Sequence, residues 1–361
     1  MAAKRSRSAL PMVLVLAGSL MCVAGVTVAA RWPMKDRPAI AVPAASTSPT
    51  PAPPPPVPLT VLTWNVCANG KSRCLAGSQH RQLAAAIGEA ARSRSADVLL
   101  LQEMCADLLP ALGSSLGADW RMYFRQASTA AVRRGVPVTR PVTCGADGDR
   151  YGQAVAVRTS IARGTRTASP ASWLVDLPSP KPEGHSWMER RLAVCVRLQA
   201  PRLQVCGAHL STPRQDADGR IRAAQAARLA VEARRGLEAG YPTIIGGDLN
   251  TTPAMTVTGS RQLVLQPLYD QGADCDRSRM RPTFGTVKID YLFSGPGLKP
   301  VGCESIQTSL SDHRMLAARY HLSPDRPTSD RLEPIRTARS GAGTAAHTDR
   351  QPFSQGLRTG K

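Results

Sequence analysis

The sequence predicts an α/β protein: two packed β-sheets with helices on their outer sides. Three observations point there. Eight apolar runs have the length of strands, two stretches between them have helical spacing, and strands and helices do not alternate in the strict rhythm of one parallel sheet. The first run, Leu59–Val66, is followed by an Ala-rich helix over Gln79–Ser93, with Leu83, Ile87 and Ala90/Ala91 at helical spacing. Val98–Gln102 and Gln153–Val157 come next. Between those two, residues 125–150 contain Gly, Pro, Arg133, Arg134, Arg140 and Arg150, and are expected to form an irregular loop insertion. Leu192–Leu198 and Leu203–His209 flank Gln199-Ala200-Pro201-Arg202, a hairpin loop. A longer helix is expected over Asp218–Ala239, on the pattern Ile221, Ala224, Arg228, Leu229 and Glu232. Thr243–Gly246, Ile289–Phe293 and Met315–His321 complete the strands.

The ends of the chain read differently. Residues 1–8 carry Lys4, Arg5 and Arg7, and Ala9 to Ala30 is uncharged and mostly apolar. Residues 1–30 are therefore a signal peptide, with Val28-Ala29-Ala30 as the cleavage site, or a retained signal anchor; 22 uncharged residues suit either. Both place the remainder outside the cytoplasm, secreted or tethered to the outer face of the cytoplasmic membrane. Residues 31–58 are rich in Pro, Ala, Ser and Thr and form a linker with extended polyproline character. Residues 323–361 are polar and Arg-rich, the composition of a disordered tail. One domain of 264 residues, 59–322, remains, long enough to bury a core.

The formal charge is +20. The first 58 residues hold six Lys or Arg and one acid and the last 39 hold seven and four, which leaves the domain 33 basic and 21 acidic residues, net +12. Such a domain favours polyanions such as nucleic acid or anionic headgroups, although the Arg-rich composition of the chain supplies part of the excess. Eight cysteines fall in the domain, an even number in an exported chain, which favours disulfides. Cys195 and Cys206 flank the hairpin loop and suit a bridge across it; Cys67 and Cys74 bracket a short loop. Cys105–Cys144 and Cys275–Cys303 follow by sequence order alone. A zinc site is the rival reading, without a CxxC pair to support it.

Six short segments carry the chemistry. They are Thr63-Trp64-Asn65, Gln102-Glu103, His209-Leu210-Ser211-Thr212, Gly247-Asp248-Leu249-Asn250, Ile289-Asp290-Tyr291 and Ser311-Asp312-His313. Most sit at the end of, or within, a strand-like run, so a folded sheet can gather them at one edge although 248 residues separate Asn65 from His313. In this order the segments resemble the endonuclease/exonuclease/phosphatase superfamily. The resemblance spans about 59–322 and implies a four-layer α/β sandwich of two packed mixed β-sheets flanked by helices.

It also implies hydrolysis of a phosphoester with Mg²⁺, or Mn²⁺, as cofactor. Glu103, at a strand end, is the expected direct metal ligand; Asn65 offers an amide oxygen beside it and Asp312 a second carboxylate. Each alone also reads as an ordinary strand-end polar residue. Asp248 and Asn250 are two apart and in extended geometry share one cleft. Asp248 would orient or deprotonate water and Asn250 hold a phosphate oxygen, while an Asx turn is the plainer alternative. Asp290 and His313 suggest a dyad in which the carboxylate fixes the imidazole. The matching His and Asp have each been cast as general base, and the sequence does not choose between them. His209 matches a family position that contacts the scissile phosphate or protonates the leaving oxygen. Tyr151, expected with Arg190 and Arg191 at the substrate phosphate, lies in the region that in deoxyribonucleases carries a Glu partner for that His; no such Glu is evident here. Arg190 or Arg191 matches a phosphate-holding position, or is a strand-edge Arg.

The expected function is an exported metal-dependent phosphodiesterase, a nuclease first, acting as a monomer on nucleic acid or another phosphoester. The basic domain and the Arg-bearing insertion support nucleic acid. A sphingomyelinase-like or inositol-phosphate hydrolase is the alternative; Ala171-Ser172-Trp173-Leu174 is its candidate membrane-contacting segment. A non-catalytic binding module is the third reading.

Overall fold

The computed structural model describes residues 55–69, 79–145, 148–160, 170–182 and 186–323. Chain contacts divide the protein into Met1–Pro51 and Ala52–Lys361, and every described residue belongs to the second unit. The signal segment, most of the linker, the tail beyond residue 323, and Cys74 and His185 lie outside the described residues.

The elements run β1 (Val57–Asn65), α1 (His80–Ser93), β2 (Val98–Cys105), α2 (Leu108–Leu116), β3 (Trp120–Gln126), β4 (Ser128–Arg133), β5 (Val136–Pro141), β6 (Thr143–Cys144), β7 (Asp149–Arg158), β8 (Ala171–Asp176), β9 (Met188–Arg190), β10 (Leu192–Gln199), β11 (Arg202–His209), α3 (Arg220–Glu238), β12 (Thr243–Asp248), α4 (Gln266–Tyr269), β13 (Ala273–Asp274), β14 (Asp290–Ser294), β15 (Leu298–Ile306) and β16 (Met315–Leu322). One sheet orders its strands β15-β16-β1-β2-β7-β3, with β6 beside β7; the second orders β13-β14-β12-β11-β10-β8. A three-stranded sheet, β5-β4-β9, stands apart from both. The β1–β2 and β11–β12 pairs are parallel and their other neighbours antiparallel, so both large sheets are mixed.

Burial separates the layers. Leu59 and Val61 of β1, Leu100 of β2, Val155 of β7, Val194 and Val196 of β10, Val205 of β11 and Leu292 of β14 meet in one buried cluster between the sheets. Leu62 and Trp64 of β1 face the other way, onto Leu83 and Ile87 of α1 and Leu108 and Leu112 of α2. Cys206 and Ala208 of β11 likewise meet Ala226 and Leu229 of α3. The order is thus helices, sheet, sheet, helices: a four-layer α/β sandwich. Because both faces of the central strands are covered, they read as continuous apolar runs.

Two expectations need correction. Residues 125–150 are not an irregular loop: they hold the end of β3, the β4–β5 hairpin, β6 and the start of β7. The hairpin was hidden because it projects from the core. Among its residues Ala131 is buried while Val136, Arg133, Arg134 and Arg140 are exposed, so no apolar run marks it. Ala171-Ser172-Trp173-Leu174 belongs to β8, paired with β10, and Trp173 donates to Glu232 of α3 at 3.2 Å. It is an edge strand held against a helix rather than a membrane-inserting hairpin. Disulfides join Cys105 to Cys144, Cys195 to Cys206 and Cys275 to Cys303. Cys67 is also disulfide-bonded.

Asp97 locks β1 to β2. Its N–H donates to Thr60 O at 2.8 Å, and its Oδ2 accepts from Thr60 N at 2.9 Å. Burial pushes this carboxyl up from 3.8 to about 6, against the pull of the Thr60 N–H and Arg158. The folded state therefore binds the Asp97 proton more tightly than the unfolded state does. Its contribution to stability is full below pH about 4 and fades as pH rises through about 6. Asp97→Asn keeps an acceptor and removes the titration. Unfolding free energies from urea titration of the wild type should fall by up to about 3 kcal/mol more than those of Asp97→Asn between pH 4 and pH 7; parallel profiles would reject this assignment.

Candidate active site

Four strands end and two begin at one edge of the sandwich. β1 and β2 are parallel, so Asn65 and Glu103 emerge together. β11 and β12 are parallel and set His209 opposite Asp248, and antiparallel β14 starts with Asp290 opposite Asp248. β16 runs antiparallel to β1, which brings His313, two residues before it, to the same edge. Gly247 makes the central part of this line feasible. It takes φ 136°, and a Cβ there would collide with Ala208 O of the neighbouring strand.

Asp248 is the hub, at 2% exposure. Its Oδ2 accepts from Asn65 Nδ2 at 3.1 Å and lies 3.5 Å from His209 Nε2 and 3.7 Å from His313 Nε2. Its Oδ1 accepts from Asn250 N at 2.9 Å. Chain direction changes here: Asn250 takes φ 50° and donates through Nδ2 to Leu210 O at 3.1 Å. The expected extended Asp248–Asn250 pair is thus an Asx turn, yet both residues line the cleft. His313 Nδ1 and Asp290 Oδ2 are 3.0 Å apart, the expected dyad. The loop bearing His313 is tied to β1 by Trp64 Nε1 donating to His313 O at 3.1 Å and Ser311 Oγ donating to Asn65 O at 2.8 Å.

Glu103 arrives by a device the sequence did not signal. β2 continues past Gln102 to Cys105, its pairing with β7 shifts between Leu101 and Met104, and Glu103 takes φ 55°. This bulge re-aims the carboxylate. Glu103 Oε1 accepts from Asn65 Nδ2 at 3.1 Å and Oε2 from Asn69 Nδ2 at 2.9 Å. Asn65 does not present its amide oxygen to the cleft as expected; Oδ1 accepts from Cys67 N at 3.1 Å, while Nδ2 bridges Glu103 and Asp248. Asp312 lines the same cleft, and its buried Oδ1 has no hydrogen-bond partner.

Arg190 and Arg191 part company. Arg190 is half exposed, 3.6 Å from Asp176, and lines the small pocket that Arg191 also lines. Arg191 is buried; its Nη1 lies 3.2 Å from Glu189 Oε1 and its Nη2 donates to Gln215 Oε1 at 2.9 Å. Nε of Arg191 is buried without a partner. Tyr151, Arg191 and His209 line one small pocket beside the main cleft.

Electrostatics follow from burial. Desolvation pushes Asp248 up to about 7, opposed by the His313 charge and reinforced by Asp290. Burial works against charge on His313, but Asp290 and Asp248 outweigh it and raise the imidazole to about 10. His209 is held well below its usual range by burial and by the charges of Arg191 and His313. Burial also raises Glu103 and Tyr151. At neutral pH the edge therefore holds a charged His313, a neutral His209 and a carboxyl between them close to its midpoint.

One buried support was absent from the sequence reading. Arg222, fully buried on α3, pairs with Asp216 Oδ2 at 3.1 Å and donates to Asn250 O and Asp216 O. Asp216 also accepts from Ile221 N and Arg222 N, which holds its carboxyl below the usual range despite burial. One more Arg on an Arg-rich helix gives no sequence signal. Arg222→Met would leave Asp216 charged and unpaired in the interior, at a cost of about 3–5 kcal/mol. The double variant Arg222→Met/Asp216→Leu should recover part of that loss in denaturant unfolding. Additive losses would show that the pair is not coupled.

Residues 62–313 match the model of the Endonuclease/Exonuclease/phosphatase family. Among solved structures, the human Nocturnin catalytic domain with bound sulfate aligns at 18% identity and TM-score 0.52, over 74% of this chain and 95% of that one. A humanized D. rerio TDP2 aligns at 16% identity and TM-score 0.51, over 73% and 99%. A family protein from Bacteroides thetaiotaomicron aligns at 14% identity and TM-score 0.51, over 74% and 98%. At these identities the likeness is one of fold. No curated protein matches the chain. The family match covers most of the sequence and all of the strand-end cluster, and the chain belongs to the endonuclease/exonuclease/phosphatase family, whose members hydrolyse phosphoesters.

Proposed function

We propose that this protein is an exported, divalent-metal-dependent phosphodiesterase that cleaves nucleic acid. The observation that carries the reading is Asp248, buried between two imidazoles at the strand edge where Glu103 and Asp312 also face the cleft. The donor set suits a hard cation: oxygen ligands from Glu103 and Asp312, including one buried carboxylate oxygen without a partner. A second group, Asp248, Asp290 and His313, brings one ligand atom each within 4.8 Å. Within it Asp290 Oδ2 is held by His313 Nδ1 at 3.0 Å, which favours a proton-handling role for that pair, while Asp290 Oδ1 is buried without a partner. Bound Mg²⁺ or Mn²⁺ would neutralise phosphoryl charge and acidify water.

The chain's own groups divide the remaining tasks. Asp248, raised towards neutrality, takes a proton from the attacking water. His313, charged and fixed by Asp290, faces the same carboxylate and stabilises negative charge on the phosphoryl oxygens. Arg191 lines the pocket it shares with His209, carries a buried Nε without a partner, and supplies positive charge for a phosphate oxygen there. His209, neutral, holds the substrate rather than serving as a cation. Asn65 and Asn69 keep Glu103 in place. Nucleic acid is favoured over lipid because the domain is basic and its candidate membrane segment is an ordinary strand.

Purified full-length chain should cleave plasmid DNA or RNA with Mg²⁺, lose activity in EDTA and regain it with Mg²⁺ or Mn²⁺. Asp248→Ala and His313→Ala should each lower turnover by about 10²–10⁴-fold. Activity within tenfold of wild type in both, or full activity in EDTA, would end this reading; turnover of sphingomyelin or inositol phosphates alone would move it to headgroups. Export has an independent check. All seven described cysteines are disulfide-bonded, and Cys67 takes one further cysteine as its partner, which leaves one of the nine; thiol titration of denatured, unreduced protein should therefore find no more than one.

A further inference from the structure

The β4–β5 hairpin and β9 make an arm whose charge the proposed chemistry does not use. Residues 120–146 contain five Arg and no Asp or Glu. Arg121, Arg125, Arg133, Arg134 and Arg140 are all exposed. Among the described residues none of the five forms an ion pair; the nearby acids are engaged elsewhere, Glu189 with Arg191 and Asp176 with Arg190. The hairpin gathers its charges. Arg140 and Arg133 lie over the same Trp187 ring, with guanidinium carbons 4.1 and 5.6 Å from its centroid. One ring thus gathers two like charges at the surface, and neither guanidinium is taken up by an ion pair among the described residues.

The arm is joined to the site. β9 pairs with β4, setting Arg190 opposite Ser128, and the next residue along is the buried Arg191. From Ser128 to Arg133 the strand advances roughly 17 Å. One nucleic-acid strand advances about 3.4 Å per nucleotide along a duplex axis, so the arm matches about five nucleotides. The arm offers no free aromatic face among its described residues. Trp187 is covered by arginines, and the other large exposed side chain of the hairpin is Val136. Single-strand binders depend on free aromatic faces; an arm that offers guanidinium groups alone fits phosphates on the outside of a duplex.

We propose that the β4–β5–β9 arm is a docking surface for double-stranded nucleic acid, gripping the backbone through Arg133, Arg134 and Arg140 and feeding a phosphate towards Arg191 and His209. This rests on the nucleic-acid reading above, and binding can be measured apart from cleavage. Full-length protein in EDTA is titrated into a short fluorescent duplex across a salt series, and Arg133→Gln/Arg134→Gln/Arg140→Gln is compared with Arg133→Lys/Arg134→Lys/Arg140→Lys. The Gln variant should bind about tenfold or more weakly at low salt, and its slope of log affinity against log salt should fall by about 2.7, at about 0.9 per lost phosphate contact. The Lys variant should keep most of the slope, which separates lost charge from lost folding. An unchanged slope in the Gln variant overturns the arm even if the enzyme cleaves DNA. Equal or tighter binding of the matching single strand overturns the duplex. Duplex binding with the expected slopes by a protein that cleaves no nucleic acid would leave the arm standing and remove the nuclease reading.

Discussion

Everything at the candidate site depends on keeping the Asp248 carboxylate out of water. An isolated carboxylate at 2% exposure is costly. The fold offsets that cost with donors from four directions: Asn65 across the sheet interface, Asn250 from the turn, and His209 and His313 on either side. Each donor is delivered by a different strand end. That is why the register of β11, β12 and β14 matters more than any single contact. A slip of one residue in β14 would send Asp290 to the opposite face and leave His313 without its carboxylate.

The same arrangement explains why the two histidines differ. They contact the same Asp248 oxygen at similar distances, 3.5 and 3.7 Å. His313 has Asp290 on its other nitrogen, so two carboxylates hold its proton. His209 is disfavoured as a cation first by its burial and then by the charges of Arg191 and His313. The asymmetry follows from burial and from the charged neighbours of each ring, and it leaves His313 charged and His209 neutral at neutral pH.

Much of this was legible in the sequence because strands covered on both faces are written as uninterrupted apolar runs. All eight expected strands and both expected helices are present, with ends moved by a residue or a few. The six motif segments were legible for the same reason, since a polar residue that closes an apolar run must emerge at a sheet edge. What stayed hidden lacked such a signal. The bulge at Glu103 is a conformation rather than a composition. The Asx turn at Asp248 and the amide orientation of Asn65 depend on neighbours distant in sequence. α2, β8 and β15 have mixed burial, so their apolar residues do not form one run. The β4–β5 hairpin has almost no core to advertise it.

The hairpin's lack of a core also bears on how the arm is held. A hairpin with one buried side chain, Ala131, gains little from apolar burial. Its persistence rests on the β9 pairing and on Trp187, which packs beneath Arg133 and Arg140. The Cys105–Cys144 disulfide ties β2, which carries Glu103, to β6 at the foot of the arm. Clustered like charges destabilise such an element in the free protein. They become favourable only when an opposite charge is supplied from outside, so the arm is energetically incomplete in a way the Asp248 cluster is not. The cluster carries its own counter-charge in His313, whereas Arg133, Arg134 and Arg140 form no ion pair among the described residues.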